Sequence, residues 1–195
     1  MALFPFFINI EGAKGLVVGS GRHAQEKIEK LRPYGPELTV ISEADFKENT
    51  LDTAPAFVIV AGNDSEQNHE IAAQCRKHRI PVNVVDDPEY CDFIFPSLIS
   101  HGNLSVGICT NGASPATGVL LKRKIEEQIP DNIEEILDFL QEKRPVINQA
   151  FVNKKQRFAF YYYISELCMS FDRPLTEEEF SELLNKESEA STENL

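Results

Sequence analysis

Two groups of residues have types and spacings suited to chemistry. The first is Gly19-Ser20-Gly21-Arg22-His23-Ala24, a G-x-G-x-x-A run directly after the apolar stretch "GLVV" at 15–18. In such a run the first glycine permits a tight turn and the second lets backbone approach a pyrophosphate. The small sixth residue lets the next helix pack closely on its strand. A helix start there offers unpaired N–H groups and a positive dipole end to an anion. Ser42 and Glu43 follow about 20 residues on, where a carboxylate can hold ribose hydroxyls. No basic residue adjoins Glu43 to receive a 2′-phosphate, which favours NAD over NADP. The alternative for the run is a plain glycine turn without a ligand. Arg22 either complements phosphate charge or is a solvated surface group, and His23 either touches cofactor through its backbone or only faces solvent. The second group is "VVDDP" at 84–88. Asp86 stands at the carboxyl end of an apolar run, where a carboxylate can serve as a general base. The alternative is an Asx turn ahead of Pro88.

The elements that position these groups alternate between strand and helix. "GLVVG" (15–19), "LTVI" (38–41), "AFVIVA" (56–61) and "VNVV" (82–85) are short apolar runs of the kind buried in a parallel sheet, and "NLSVGICT" (103–110) reads as a fifth. Between them, Ala24, Ile28 and Leu31 recur at helical spacing. So do Ile71, Ala72 and Cys75, in a helix that Ser65 is expected to cap. The pattern predicts an α/β fold, a Rossmann-like doubly wound parallel sheet over residues 1–113. From Ser114, a cap followed by Pro115, the chain reads as helical. We expect a helical dimerisation region over 114–149, a small C-terminal helical unit over 150–183 with a capping box at "TEEE" (176–179), and a solvated, disordered tail over 184–195. Ile133, Ile136, Leu137 and Leu140 form a stripe that two short helices cannot easily bury alone, hence the expectation of a homodimer. The aromatic "FAFYYY" (158–163) reads as core or interface packing.

Composition narrows the function. With 42% hydrophobic and 26% charged residues in 195, the chain suits one α/β core plus a smaller unit. A net charge of −12 speaks against nonspecific nucleic-acid binding. No apolar run is long enough to span a bilayer, and the start lacks a secretory pattern, so we expect no membrane partner and a cytoplasmic location. Cys75, Cys91, Cys109 and Cys168 lack CxxC spacing, which fits a reducing compartment, and Cys91 and Cys109 are expected to be small buried side chains. His69, His78 and His101 show no metal-site spacing and read as surface residues.

Larger segments carry a family resemblance. "LFPFFINIEGAKGLVVGSG" (3–21), "AGNDSEQNHEIAAQCRKHRIPVNVVDDP" (61–88), "NVVDDPEYCDFIFPS" (83–97) and "CTNGASP" (109–115) resemble the precorrin-2 dehydrogenases and sirohydrochlorin ferrochelatases of siroheme synthesis. That family usually has Gly-Gly-Gly followed by Val-Ala, where this chain has Gly-Ser-Gly followed by His23-Ala24. It usually has Ser-Thr-Gly-Gly or Ser-Ser-Gly-Gly, where this chain has Cys109-Thr110-Asn111-Gly112. The resemblance implies NAD-dependent oxidation of precorrin-2 to sirohydrochlorin, with Asp86 as general base, in a homodimer joined through the helical segment. In some members Fe²⁺ insertion to siroheme follows. A reading from another class is a non-catalytic NAD-binding regulator. Thr110 matches the hydroxyl residue of the family's substrate loop, and Asn111, where the family usually has glycine, lies beside it as a substrate-binding candidate. Lys122 and Arg123 are candidates for holding the carboxylates of a tetrapyrrole, or are part of a solvated helix face.

Overall fold

The computed structural model describes residues 3–192, with side chains through Glu189. The chain divides into two compact units, one running to Pro96 with Asn111–Ala113 added, the other made of Ser97–Thr110 and everything from Ser114.

In the first unit, β1 (Lys14–Val18), β2 (Glu37–Ile41), β3 (Phe57–Val60) and β4 (Val82–Val84) form a parallel sheet in the order β2-β1-β3-β4. Alternation along each strand sends successive side chains to opposite faces. Leu16, Val18, Val58, Val60, Val82 and Val84 meet Ile71, Ala72 and Cys75 of α2 (Ser65–Lys77) on one face. Val17 and Ile59 meet Ala24 and Ile28 of α1 (Arg22–Leu31) on the other. Both faces are covered, which is why the strands read as unbroken apolar runs rather than alternating ones. Asp64, not Ser65, caps α2: its Oδ1 accepts from the N–H groups of Glu66 at 2.9 Å and Gln67 at 3.2 Å. Either residue type suits a cap, and the carboxylate one position earlier takes both orphan donors. Burial pushes the Cys75 thiol up to about 12, so it acts as a small hydrophobe. Because the chain moves from β1 outward to β2 and then back to β3 on the other side, the loops after β1 and β3 diverge. In open α/β sheets, ligands bind at the carboxyl edge where such loops part.

The second unit corrects the expected fifth parallel strand. Residues 104–108 form β6 (Leu104–Ile108), which pairs antiparallel with β5 (Ser97–His101) in a separate two-stranded sheet. His101 pairs with Leu104, leaving Gly102-Asn103 as a two-residue hairpin turn with Gly102 at φ 51°. Four helices follow, α3 (Pro115–Glu126), α4 (Ile133–Ala150), α5 (Lys154–Phe171) and α6 (Glu177–Thr192). Ser114 caps α3 as expected, accepting from Thr117 N–H at 3.2 Å. The capping box at α6 also forms, with Thr176 N–H donating to Glu179 at 2.8 Å and Glu179 N–H to Thr176 Oγ1 at 3.2 Å.

The expected uncovered stripe on α4 is not uncovered. Ile136, Phe139 and Ile147 are buried with Phe160, Ile164 and Cys168 of α5 and Phe180 of α6, and Leu140 packs against the same cluster. The helix continues through Pro145 and is long enough to be covered from within the chain. The exposed apolar face lies instead on α3, where Val119 is 63%, Leu120 45% and Leu121 42% exposed. Of "FAFYYY", Phe160 joins the core, whereas Phe158 and Tyr162 are exposed. The stretch expected to be a disordered tail is helical as far as Thr192, because the capping box starts α6 and Leu183 and Leu184 extend its packing; 193–195 lie outside the described residues. Among the described residues no helix is long and apolar enough to cross a membrane.

Candidate functional site

The carboxyl edge of the four-stranded sheet gathers the loops after β1, β2, β3 and β4. At the β1 end, Gly19 has φ 122°, and a Cβ there would lie 2.5 Å from the carbonyl oxygen of Ala61. Only glycine can let β1 turn so close beside β3. Gly21 is different: φ is −75°, and a Cβ there would meet nothing within 4 Å. It is the N-cap of α1, supplies no side-chain cap, and the first turn of α1 contains no acidic residue. The helix therefore presents open N–H groups and an uncompensated positive end, with room for an anion where a side chain would otherwise stand. Ala24, 1% exposed, packs against Val17 and Ile59 as the motif requires. Ser20 and His23 are exposed, and Arg22 pairs with Glu26 on its own helix at 2.8 Å.

Ser42 and Glu43 end β2 on the same edge. Ser42 Oγ donates to Asp45 Oδ2 at 2.6 Å and closes its own turn. Glu43 Oε1 accepts from Asn63 N–H at 2.8 Å, and its backbone carbonyl accepts from Gln67 at 3.1 Å. Glu43 thus braces the loop after β3. A further glycine escaped the sequence reading: a Cβ on Gly62 would lie 2.4 Å from Asn68 Oδ1 and 2.8 Å from the Glu43 side chain. Asn68 is buried and donates to the carbonyl of Gly62 at 3.0 Å. The "AGND" turn at 61–64 is the signal that could have marked this second glycine loop.

After β4, Val85 N–H still bonds to Val60 across the sheet at 2.9 Å. Asp86 then takes the left-handed conformation, φ 62°, with its side chain exposed. No hydrogen bond or ion pair engages its carboxylate among the described residues. Asp87 is half-buried and bonded through Oδ2 to His69 Nε2 at 2.6 Å. Neither aspartate accepts a bond from the backbone as an Asx turn would, and Asp87 supplies no side-chain cap to the turn at Pro88–Tyr90. His69, read from sequence as a surface residue, instead stacks on Tyr90 at 3.6 Å and belongs to this turn. Lys27 of α1 was also missed. Its ammonium lies 4.6 Å from the centroid of Phe95, and burial holds it below the usual lysine range while the nearby Asp86 charge pulls the other way.

The remaining candidates stand in other segments. Asn111 groups with the first unit and has φ 52°, and Gly112 beside it has φ 81°. In the second unit, Thr110 Oγ1 donates to the carbonyl of Ser114 at 3.1 Å, tying the start of α3. Lys122 is half-buried on α3, and Arg123 pairs with Glu127 at 3.7 Å.

Residues 6–97 match the model of a family described as putative NAD(P)-binding. Siroheme synthase of Nitrosomonas europaea is 32% identical over 180 residues, which take in 83% of this chain and 38% of that protein. Siroheme synthase of Thioalkalivibrio sulfidiphilus is 35% identical over 149 residues, 67% of this chain and 30% of that protein. The chain thus spans less than half the length of these relatives. A solved structure, SirC, a precorrin-2 dehydrogenase, is similar with a TM-score of 0.68 and 21% identity, covering 96% of this chain and 100% of that one. That likeness is one of fold, the Rossmann-like sheet followed by helices. Through residues 6–97 the chain thus resembles the putative NAD(P)-binding family, and over two thirds or more of its own length it is similar to part of the siroheme synthases.

Proposed function

We propose that this chain is an NAD-dependent dehydrogenase that oxidises precorrin-2 to sirohydrochlorin in siroheme synthesis. The observation that carries this reading is Asp86, an exposed carboxylate in a left-handed turn, on the same sheet edge as the open start of α1.

The residues divide the work. Gly21 and the first N–H groups of α1 hold the pyrophosphate, and Ser20 and His23 border it through the backbone. Glu43 directs the carboxylate oxygen not used by Asn63 toward ribose hydroxyls. The bound nicotinamide supplies hydride acceptance. Asp86 takes the proton released as the hydride leaves, which is general-base work for a positioned carboxylate. Thr110 and Asn111 shape the substrate loop, and Lys122 and Arg123 contribute positive charge to the substrate's carboxylates. The protein works as a homodimer, and the exposed apolar residues of α3 are the surface that supports it.

An anaerobic assay of the full chain with precorrin-2 and NAD tests the reading. Asp86→Ala is expected to leave NAD affinity nearly intact and cut turnover by about two to four orders of magnitude. Turnover near the parent rate would make Asp86 a turn residue. Absence of turnover in the parent chain itself would favour an NAD-binding regulator. Normal dehydrogenation with lost Fe²⁺ insertion would move Asp86 to chelation.

A further inference from the structure

We propose that His69 is a positioning residue: from α2 it clamps Asp87 and so fixes the turn that presents Asp86. The inference rests on the reading of Asp86 as the base. His69 and Asp87 are 18 residues apart, yet Nε2 and Oδ2 meet at 2.6 Å with both side chains about two-thirds covered. The imidazole lies flat on Tyr90, centroids 3.6 Å apart and planes within 4°. Arg76 stands over the same Tyr90 ring at 5.9 Å, and Ser65 Oγ lies 3.4 Å from Nε2.

The backbone on either side of Asp86 is tied down to match. Val85 N–H is held by Val60 at 2.9 Å, and Asp87 N–H by Val84 at 3.3 Å. The Asp87 carbonyl accepts from Tyr90 N–H at 3.1 Å and from the Cys91 thiol at 3.3 Å. The single Cys91 S–H proton is shared between that carbonyl and the Val84 carbonyl, 3.1 Å from Sγ. Val84, Val85, Asp87, Tyr90 and Cys91 are thus each braced against a neighbour, while the Asp86 side chain stands exposed. A left-handed aspartate relaxes readily unless its surroundings over-determine it. The His69–Asp87 bond ties this turn to α2 by a side-chain hydrogen bond, beside the ring contacts that His69 and Arg76 make with Tyr90. Without it, the Asp87 side chain loses its anchor on α2, and the Asp86 carboxylate wanders from its reacting geometry.

The test uses the full chain. His69→Phe keeps a ring on Tyr90 and removes the bond to Asp87. His69→Gln returns an amide nitrogen to the place of Nε2, and Asp87→Ala removes the same bond from the other side. His69→Phe and Asp87→Ala are expected to lower kcat about ten- to a hundredfold, with KM and NAD affinity within about twofold of the parent, since a displaced catalytic group costs rate. His69→Gln is expected to recover most of that loss, and the double variant to be no slower than either single one. A purely structural role would lower thermal stability in all variants and leave kcat per folded molecule unchanged, which would overturn the proposal. Additive losses in the double variant would overturn it too. If His69→Phe does not fold, Asp87→Ala carries the same comparison from the other partner of the bond. Asp86→Asn separates the two readings: loss there with normal His69→Phe removes only the clamp, whereas normal turnover in Asp86→Asn removes the base itself.

Discussion

The two motif glycines are expected to answer opposite questions when replaced. At Gly19 the φ of 122° lies outside what an L-residue adopts easily, and a Cβ would sit 2.5 Å from the carbonyl oxygen of Ala61 and 2.8 Å from its carbon. Both neighbours are backbone of a central strand's end, so neither yields cheaply. Strain of about 1–3 kcal/mol adds to overpacking of similar size, and Gly19→Ala is expected to lose about 3 kcal/mol. At Gly21 the φ of −75° is ordinary and nothing lies within 4 Å of a Cβ. Gly21→Val is expected to change stability by no more than about 1 kcal/mol, the scale of a cap substitution. The valine side chain fills the space in which a pyrophosphate approaches the helix start. NAD affinity should therefore fall about a hundredfold, roughly 2.7 kcal/mol. Urea unfolding and calorimetric titration of the same preparations separate the two effects. Unchanged NAD affinity in Gly21→Val refutes the cradle. So does a stability loss in Gly21→Val as large as that in Gly19→Ala, because the space would then belong to the fold.

Two further outcomes follow from the same geometry. NAD is expected to bind more tightly than NADP in calorimetry, because Glu43 stands at the end of β2 with no neighbouring cation to receive a 2′-phosphate; equal or tighter NADP binding refutes this. Light scattering at micromolar concentration is expected to report a dimer that Leu120→Glu converts to a monomer, whereas Ile136→Glu, within the α4–α5–α6 core, unfolds the chain instead; a dimer unaffected by Leu120→Glu moves the interface off α3.

What the sequence made legible was local. The apolar runs of β1 to β4, the Ala24 stripe, the Ser114 cap and the Thr176–Glu179 box each depend on residues a few positions apart, and each stands as read. The hairpin at Gly102-Asn103 was equally local and was misread, because the apolar run after it matched the length of a buried parallel strand. The α4 stripe failed for a different reason. Its pattern gives the need for cover but not the source, and the cover comes from α5 and α6 of the same chain. The bond between His69 and Asp87 has no sequence signature at all, since it depends on how α2 returns along β4. The bracing of Asn63 by Glu43 is of the same kind.

Those long-range bonds also determine what the sheet edge can offer a ligand. Most polar groups there are already engaged: Ser42 with Asp45, Glu43 Oε1 with Asn63, Asp64 with the start of α2, Asn68 with Gly62 and Asp87 with His69. Each bond removes a group that water or a ligand would otherwise satisfy, and each stiffens its loop. Among the features of the first unit's edge left open are the helix start at Gly21 and the carboxylate of Asp86. One attracts negative charge and the other accepts a proton. A site that binds an anionic dinucleotide and removes a proton from a second molecule needs both, held apart so that the carboxylate does not repel the phosphates. The sheet supplies that separation: Gly21 follows β1 and Asp86 follows β4, with β3 between them. Braced loops around open groups make the edge selective by what it no longer offers, and the uncompensated start of α1 is where an acidic chain would hold an anion.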